Sequence, residues 1–285
     1  MDPEVVAFTV PAESNKVVFV WNITARLSEG EIYCSLMKVF SQFGPLYCLK
    51  LFPNAGVAEP GYYAVIRYFS SQCAKKAHVS CDRKSLFQDT PLKVQVCNRK
   101  KSLQFKSLEL YGYKCKELAN YYLGFNGWSQ RVIAIQNITG LDDDPDEEGG
   151  PKEQAKLRYL CVVEVIIHDR EIRSRGVGVA EEAIEKQNDP VEFLSKNGKV
   201  QKFAVQKALS NAFKKILLVI FDNGKVAVEY VPDEDDAVDC LTEEELQGLI
   251  QVNDFTWATL DIGDEDDEEM LANLSFYDDT LADGE

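Results

Sequence analysis

Four residues in the first quarter of the chain have the types and spacing to hold a flat heteroaromatic ring: Phe19 and Trp21 in one apolar run, Tyr63 and Arg67 in another. Successive side chains of a strand point to opposite faces. Val18 and Val20 therefore enter a core while Phe19 and Trp21 stand on the other surface, and Ala64, Ile66 and Tyr68 separate in the same way from Tyr63, Val65 and Arg67. If the two strands are neighbours, Phe19, Trp21, Tyr63 and Arg67 share one open face. Rings with a cation beside them stack on unpaired bases, at about 1 to 3 kcal/mol per base. The same face would also suit a protein partner, and strand aromatics more often enter a core than form a ligand platform. Charge tips the balance toward nucleic acid, because residues 16–106 hold 14 Lys and Arg against 5 Asp and Glu.

Catalytic and metal chemistry have no comparable footing. There is no GxxxxGK[ST] phosphate loop, and Gly176 and Gly178 lie at a strand end without the third glycine of a dinucleotide fingerprint. His78 and His168 are far apart and neither is flanked by a nucleophile signature. The eight cysteines (Cys34, Cys48, Cys73, Cys81, Cys97, Cys115, Cys161 and Cys240) form no CxxC pair, which argues against zinc. The acidic run 264–269 has the density to meet a cation, yet such runs are usually solvated. The expectation is a binding protein with no enzymatic activity, no metal and no cofactor.

The elements that must position these residues follow from hydrophobic periodicity. Residues 16–21 read as a strand, 28–43 as a helix headed by Ser28 with Glu31 three residues on, and Gly44-Pro45 as its stop. Strands over 46–52 and 62–69, a helix over 70–81 and a last strand over 92–96 complete the order βαββαβ. A basic connector, Asn98-Arg99-Lys100-Lys101, leads to a helix over 114–123, a strand over 131–135, an acidic excursion over 142–150 and strands over 159–167 and 172–179. A long helix over 200–217 carries Val205, Ala208, Leu209, Ala212, Phe213 and Ile216 on one stripe, with Lys207 and Lys214 opposite. Residues 221–225 then turn a hairpin into a strand over 226–231. The fold class is α+β, with an arm over 1–15, a first domain over 16–106, a second over 107–232 and an acidic, disordered tail over 233–285.

Two resemblances sharpen this reading. Val18-Phe19-Val20-Trp21-Asn22-Ile23 resembles the first-strand ribonucleoprotein motif of RNA-recognition domains, and Tyr63-Ala64-Val65-Ile66-Arg67-Tyr68 the second half of the third-strand motif, with Val65 where the family usually has an aromatic. The resemblance implies stacking roles for Phe19 and Tyr63. The stretch 117–129, a Leu118-Ala119-Asn120 helix running into Gly124-Phe125-Asn126-Gly127-Trp128, is similar to the DNA-binding core of the Rad-fifty-two family of single-strand-annealing mediators, and ordered matches continue over 159–167, 176–181 and 204–217. That resemblance implies an antiparallel sheet packed on a long helix. It also implies a groove for the DNA backbone lined by Lys114, Lys214 and Lys215 and extended by Arg173 and Arg175, where cations neutralise phosphates without reading sequence. Lysines on a helix face are more often simply solvated. Residues 182–199 and the hairpin after Leu217 depart from that family, so ring formation and annealing activity do not follow from the resemblance, which leaves a homo-oligomer open.

Charge distribution separates a folded part far less acidic than the whole chain from an acidic tail. The whole chain carries a net charge of -16, but residues 1–140 hold 17 basic residues against 10 acidic, and 20 acidic residues with no basic one follow Pro232. Such a tail is expected to compete with a polyanion for the basic surface. No signal peptide or long apolar run is present, which fits a reducing compartment and no membrane. The joint resemblance implies single-stranded DNA, duplex or distorted DNA and RNA as partners, a role in DNA repair, and residence in nucleus and cytoplasm. The alternative is an RNA-processing or scaffold module using the first sheet for a protein.

Overall fold

A computed structural model describes residues 3–55, 59–97, 108–139, 156–183, 190–221, 223–232, 238, 241–242 and 245. Residues Met1–Gln251 form one compact unit; the remainder, Val252–Glu285, lies outside the described residues. The basic connector at 98–101, the boundary expected at 106/107, the acidic excursion at 142–150 and the run at 264–269 also lie outside them.

The first half is built as its periodicity requires. After a short strand β1 (Glu4–Ala7) come β2 (Val17–Thr24), α1 (Glu29–Phe40), β3 (Leu46–Pro53), β4 (Gly61–Tyr68), α2 (Ser71–Cys81) and β5 (Lys93–Val96). Ser28 caps α1 in a capping box: its hydroxyl accepts from the Glu31 amide while the Glu31 carboxylate accepts from the Ser28 amide at 2.9 Å. The four strands stand in the antiparallel order β3-β4-β2-β5, the arrangement that the resemblance to RNA-recognition domains implies. One face of this sheet sends Val18, Val20, Ala64, Ile66 and Tyr68 against Ile32, Leu36 and Phe40 of α1 and Ala74 and Ala77 of α2. Each large apolar side chain so buried contributes about 1.5 to 3 kcal/mol. Tyr68 also donates its hydroxyl to the Phe40 carbonyl at 2.9 Å, which satisfies its one polar atom.

The second half runs α3 (Gly112–Leu123), β6 (Trp128–Asn137), β7 (Lys156–Ile167), β8 (Ile172–Ala183), α4 (Pro190–Lys214), β9 (Ile216–Ile220) and β10 (Val226–Tyr230). Strands β6, β7 and β8 form an antiparallel sheet on which α4 packs. Gly176 and Gly178 explain how closely: a Cβ on either would lie 2.2 Å from backbone atoms of Ala208. Glycines on β8 facing Ala204, Ala208 and Ala212 on α4 let the two backbones meet. In the turn after α3, the Trp128 indole N–H donates to the Asn120 side chain at 2.9 Å while its ring meets Phe213 edge-on at 5.3 Å.

Three differences from expectation alter the architecture. The long helix begins at Pro190, so ten residues of the supposed insertion over 182–199 are its first turns. It ends at Lys214, because the apolar run Ile216–Ile220 is a strand paired on both sides, with β1 and with β10. The third difference is that the amino-terminal segment builds structure: β1 completes the sheet β1-β9-β10, Val6 and Phe8 are buried in the second core, and the Phe8 ring lies 4.6 Å from that of Phe213. Glu4 reaches the first half, where its carboxylate accepts from the Ser71 amide at 2.6 Å and from the Ser70 hydroxyl at the start of α2. Phe69 and Tyr47, from the first half, pack into the second core as well, so the halves share an apolar join.

Candidate nucleic-acid interface

The open face of the first sheet carries the rings the sequence predicts and one more. Pairing of Phe19 with Val65 and of Val17 with Arg67 sets β2 beside β4, so Phe19, Trp21, Tyr63 and Arg67 share a face. Phe19 and Tyr63 are each 38% exposed, and Trp21 and Phe52 each 36%. Phe52, on β3 opposite Tyr63, stacks with it at 5.2 Å between ring centroids and 22° between planes. Lys50 stands opposite Val65 and Lys93 opposite Trp21, so cations flank the rings on both edge strands. Alternation within the strands expected over 46–52 and 92–96 places Lys50, Phe52 and Lys93 on this face, and that signal would have found them. The Arg67 guanidinium lies over the Tyr47 ring, 5.9 Å from its centroid. A register shift between Leu46 and Cys48 brings Tyr47 there.

The cations of the second half do not form the expected line. Lys215 is a correction: it is 3% exposed, and its ammonium donates to the Arg175 carbonyl at 2.7 Å. The helix has ended one residue earlier, so Lys215, in the turn just before β9, points inward instead of continuing the surface stripe of Lys207 and Lys214. Arg175 is a second correction, because with Arg131 it grips the fully buried carboxylate of Glu164, at 3.1 and 2.7 Å. Its guanidinium neutralises an internal charge, and it also donates to the Leu241 carbonyl. Lys114 pairs with Glu117 at 2.7 Å and Lys214 with Glu109 at 3.8 Å. Exposed pairs of this kind are worth about 0 to 1 kcal/mol, so a phosphate can replace the carboxylate. Arg173 is exposed on the face of β8 turned away from α4. Missed altogether was Lys116, held below the ordinary lysine range first by burial and then by Lys202 beside it. That pair spans α3 and α4, and no local spacing reveals it.

His78 is an ordinary bonded side chain, its Nδ1 2.8 Å from the Val94 carbonyl. Among the described residues no three of His, Cys, Asp and Glu stand together as metal ligands, and burial pushes the Cys161 thiol up to about 12. No described helix is long and apolar enough to cross a membrane.

Residues 110–217, from just before α3 into β9, match the family model described as the RDM1 DSRM domain. Proteins named RAD52 motif-containing protein 1 are similar along nearly the whole chain. That of Gallus gallus is 46% identical over 96% of this chain and 96% of its own. That of Macaca fascicularis is 44% identical over 95% of both, and that of Homo sapiens 45% over 89% of this chain and 90% of its own. The chain belongs to the RAD52 motif-containing protein 1 family. Within this member of the family, Lys114, Arg173, Arg175, Lys214 and Lys215 fall inside the matched DSRM region, whereas Phe19, Trp21, Tyr63 and Arg67 precede it. Among solved structures, the Mip6 RRM3 domain is similar over 30% of this chain and 98% of its own, at 23% identity and a TM-score of 0.25. The RRM domain of S. pombe Puf1 is similar over 30% and 99%, at 19% identity and a TM-score of 0.24.

Proposed function

We propose that the protein binds unpaired nucleic acid, single-stranded DNA foremost and RNA as well, and acts in the DNA damage response and recombinational repair in nucleus and cytoplasm. The observation that carries this reading is the half-exposed cluster of Phe19, Trp21, Phe52 and Tyr63 on one sheet face with Lys50 and Lys93 in the same rows. Every base has a face that stacks on such rings, and the lysines supply charge to the phosphates between them. Lys114, Lys214 and Arg173 add sequence-independent backbone contacts from the second half. RAD52 in the name of the relatives supports the repair setting.

The test is a pair of substitutions on the exposed rings. Phe19→Ala with Tyr63→Ala should weaken binding of a labelled single strand by about 1 to 3 kcal/mol per ring while the melting temperature holds. Unchanged affinity, or a wild-type chain that captures no oligonucleotide at moderate salt, would return the sheet face to the role of a protein-docking surface.

A further inference from the structure

A second aromatic station adjoins the first sheet, and its two rings belong to neither set of predicted residues. Tyr111 caps the start of α3 and Tyr113 lies in its first turn. Both are exposed, at 39% and 37%, and their rings are nearly parallel, 16° apart in plane and 6.1 Å between centroids. That is the wide end of the range for offset rings, so the pair is loosely coupled and both rings are partly open to solvent. The ammonium of Lys114 lies 5.5 Å from the Tyr113 ring. On the first half, β3 is an edge strand, and Tyr47 near its start packs against the core cluster that holds Leu110 and Cys115, which bracket the two tyrosines in sequence. Burial foremost pushes the Tyr47 hydroxyl up to about 12; Tyr113 and Tyr111 add to the push and Arg67 opposes it, so all three lie within electrostatic reach of that hydroxyl.

We propose that Tyr111, Tyr113 and Lys114 form a second base-stacking site for the same single strand, reached from the first sheet across its β3 edge past Arg67 and Tyr47. This rests on reading the first sheet as a strand-binding face. The order of groups is the one a single strand requires, rings for bases alternating with cations for the phosphates between them: Phe19 and Tyr63, then Arg67, then Tyr111 and Tyr113, then Lys114. It makes the two halves one reader whose footprint is longer than that of the sheet, and it assigns the apolar join at Phe69 and Tyr47 the task of holding the two stations in line.

Length dependence separates the two stations. The full chain is titrated by fluorescence anisotropy with oligothymidylates of about 4 and about 12 nucleotides, which bracket the sheet alone and both sites. Tyr111→Ala with Tyr113→Ala should weaken the longer strand at least roughly thirtyfold and leave the shorter one unchanged. Tyr111→Phe with Tyr113→Phe keeps the rings and should keep the affinity. On the wild-type chain, a strand carrying 5-bromodeoxyuridine should photocrosslink to Tyr111 or Tyr113. An Ala variant that binds the longer strand as tightly as the wild-type chain does, or crosslinks confined to the first sheet, would overturn the second site alone, provided that Phe19→Ala with Tyr63→Ala still weakens both lengths. A wild-type chain that binds neither length would overturn the second site and the reading of the first sheet together.

Discussion

Glu4 shows how much one side chain holds. Its carboxylate gathers the Ser70 hydroxyl and the Ser71 and Gln72 amides at the start of α2; burial works against the charge, but these hydrogen bonds outweigh it and keep the carboxyl below its ordinary range. A group whose acidity is raised by folding adds stability above its unfolded value and loses that contribution as pH falls through the lower folded value. Glu4→Gln should therefore cost roughly 1 to 3 kcal/mol at neutral pH and less in acid, read from urea denaturation at two pH values. Lys215 needs the opposite caution. Lys215→Glu would place a carboxylate among buried groups and against the Arg175 carbonyl, at a cost of about 3 kcal/mol or more. Circular dichroism melts should show a fall in stability, and any loss of binding by that variant reports on the fold. The inward turn of Lys215 was illegible because it depends on where the helix stops. Phe19 and Val18 were legible because a strand has a period of two whatever surrounds it.

At the scale of elements, the packing of β8 on α4 was written in the sequence in a form open to misreading. Gly176-Val177-Gly178 resembles punctuation, yet its cause lies 30 residues on, in the backbone of Ala204, Ala208 and Ala212. Gly178→Ala should push α4 off the sheet and destabilise by about 1 to 3 kcal/mol, measured by chemical denaturation, whereas Gly30→Ala, with nothing within 4 Å, should be tolerated. The capping box of α1 and the stripe of α4 needed only local spacing to be seen. The start of α4 at Pro190 was hidden because Asn197 and Gly198 are poor helix formers, and tertiary packing overrides their propensity. Strand β1 was hidden because its partner β9 lies some 210 residues away and four residues carry no periodicity of their own.

For the whole molecule, the amino-terminal segment and the join between halves imply that the two halves do not behave as beads on a string. Val238 beyond Pro232 packs against the apolar patch of Leu160, Val162 and Val177, and Leu241 receives a hydrogen bond from Arg175, so part of the acidic region sits on the outer face of the second sheet. Removing residues 233–285 leaves 31 basic residues against 27 acidic. Truncation at Pro232 should tighten binding of a single strand most at low salt, where long-range repulsion is least screened; equal affinity of both forms across salt would assign the region to solubility or partner docking. The central claim is that the basic-leaning body of this acidic protein grips unpaired strands, and one measurement bears on it most directly. Purified full chain is titrated against labelled single-stranded DNA, duplex and RNA at two salt concentrations. The expected result is tightest binding for single-stranded DNA, measurable binding for RNA, and an affinity that falls as salt rises. Tighter binding to duplex than to either single strand, or no binding to any of the three, would contradict it.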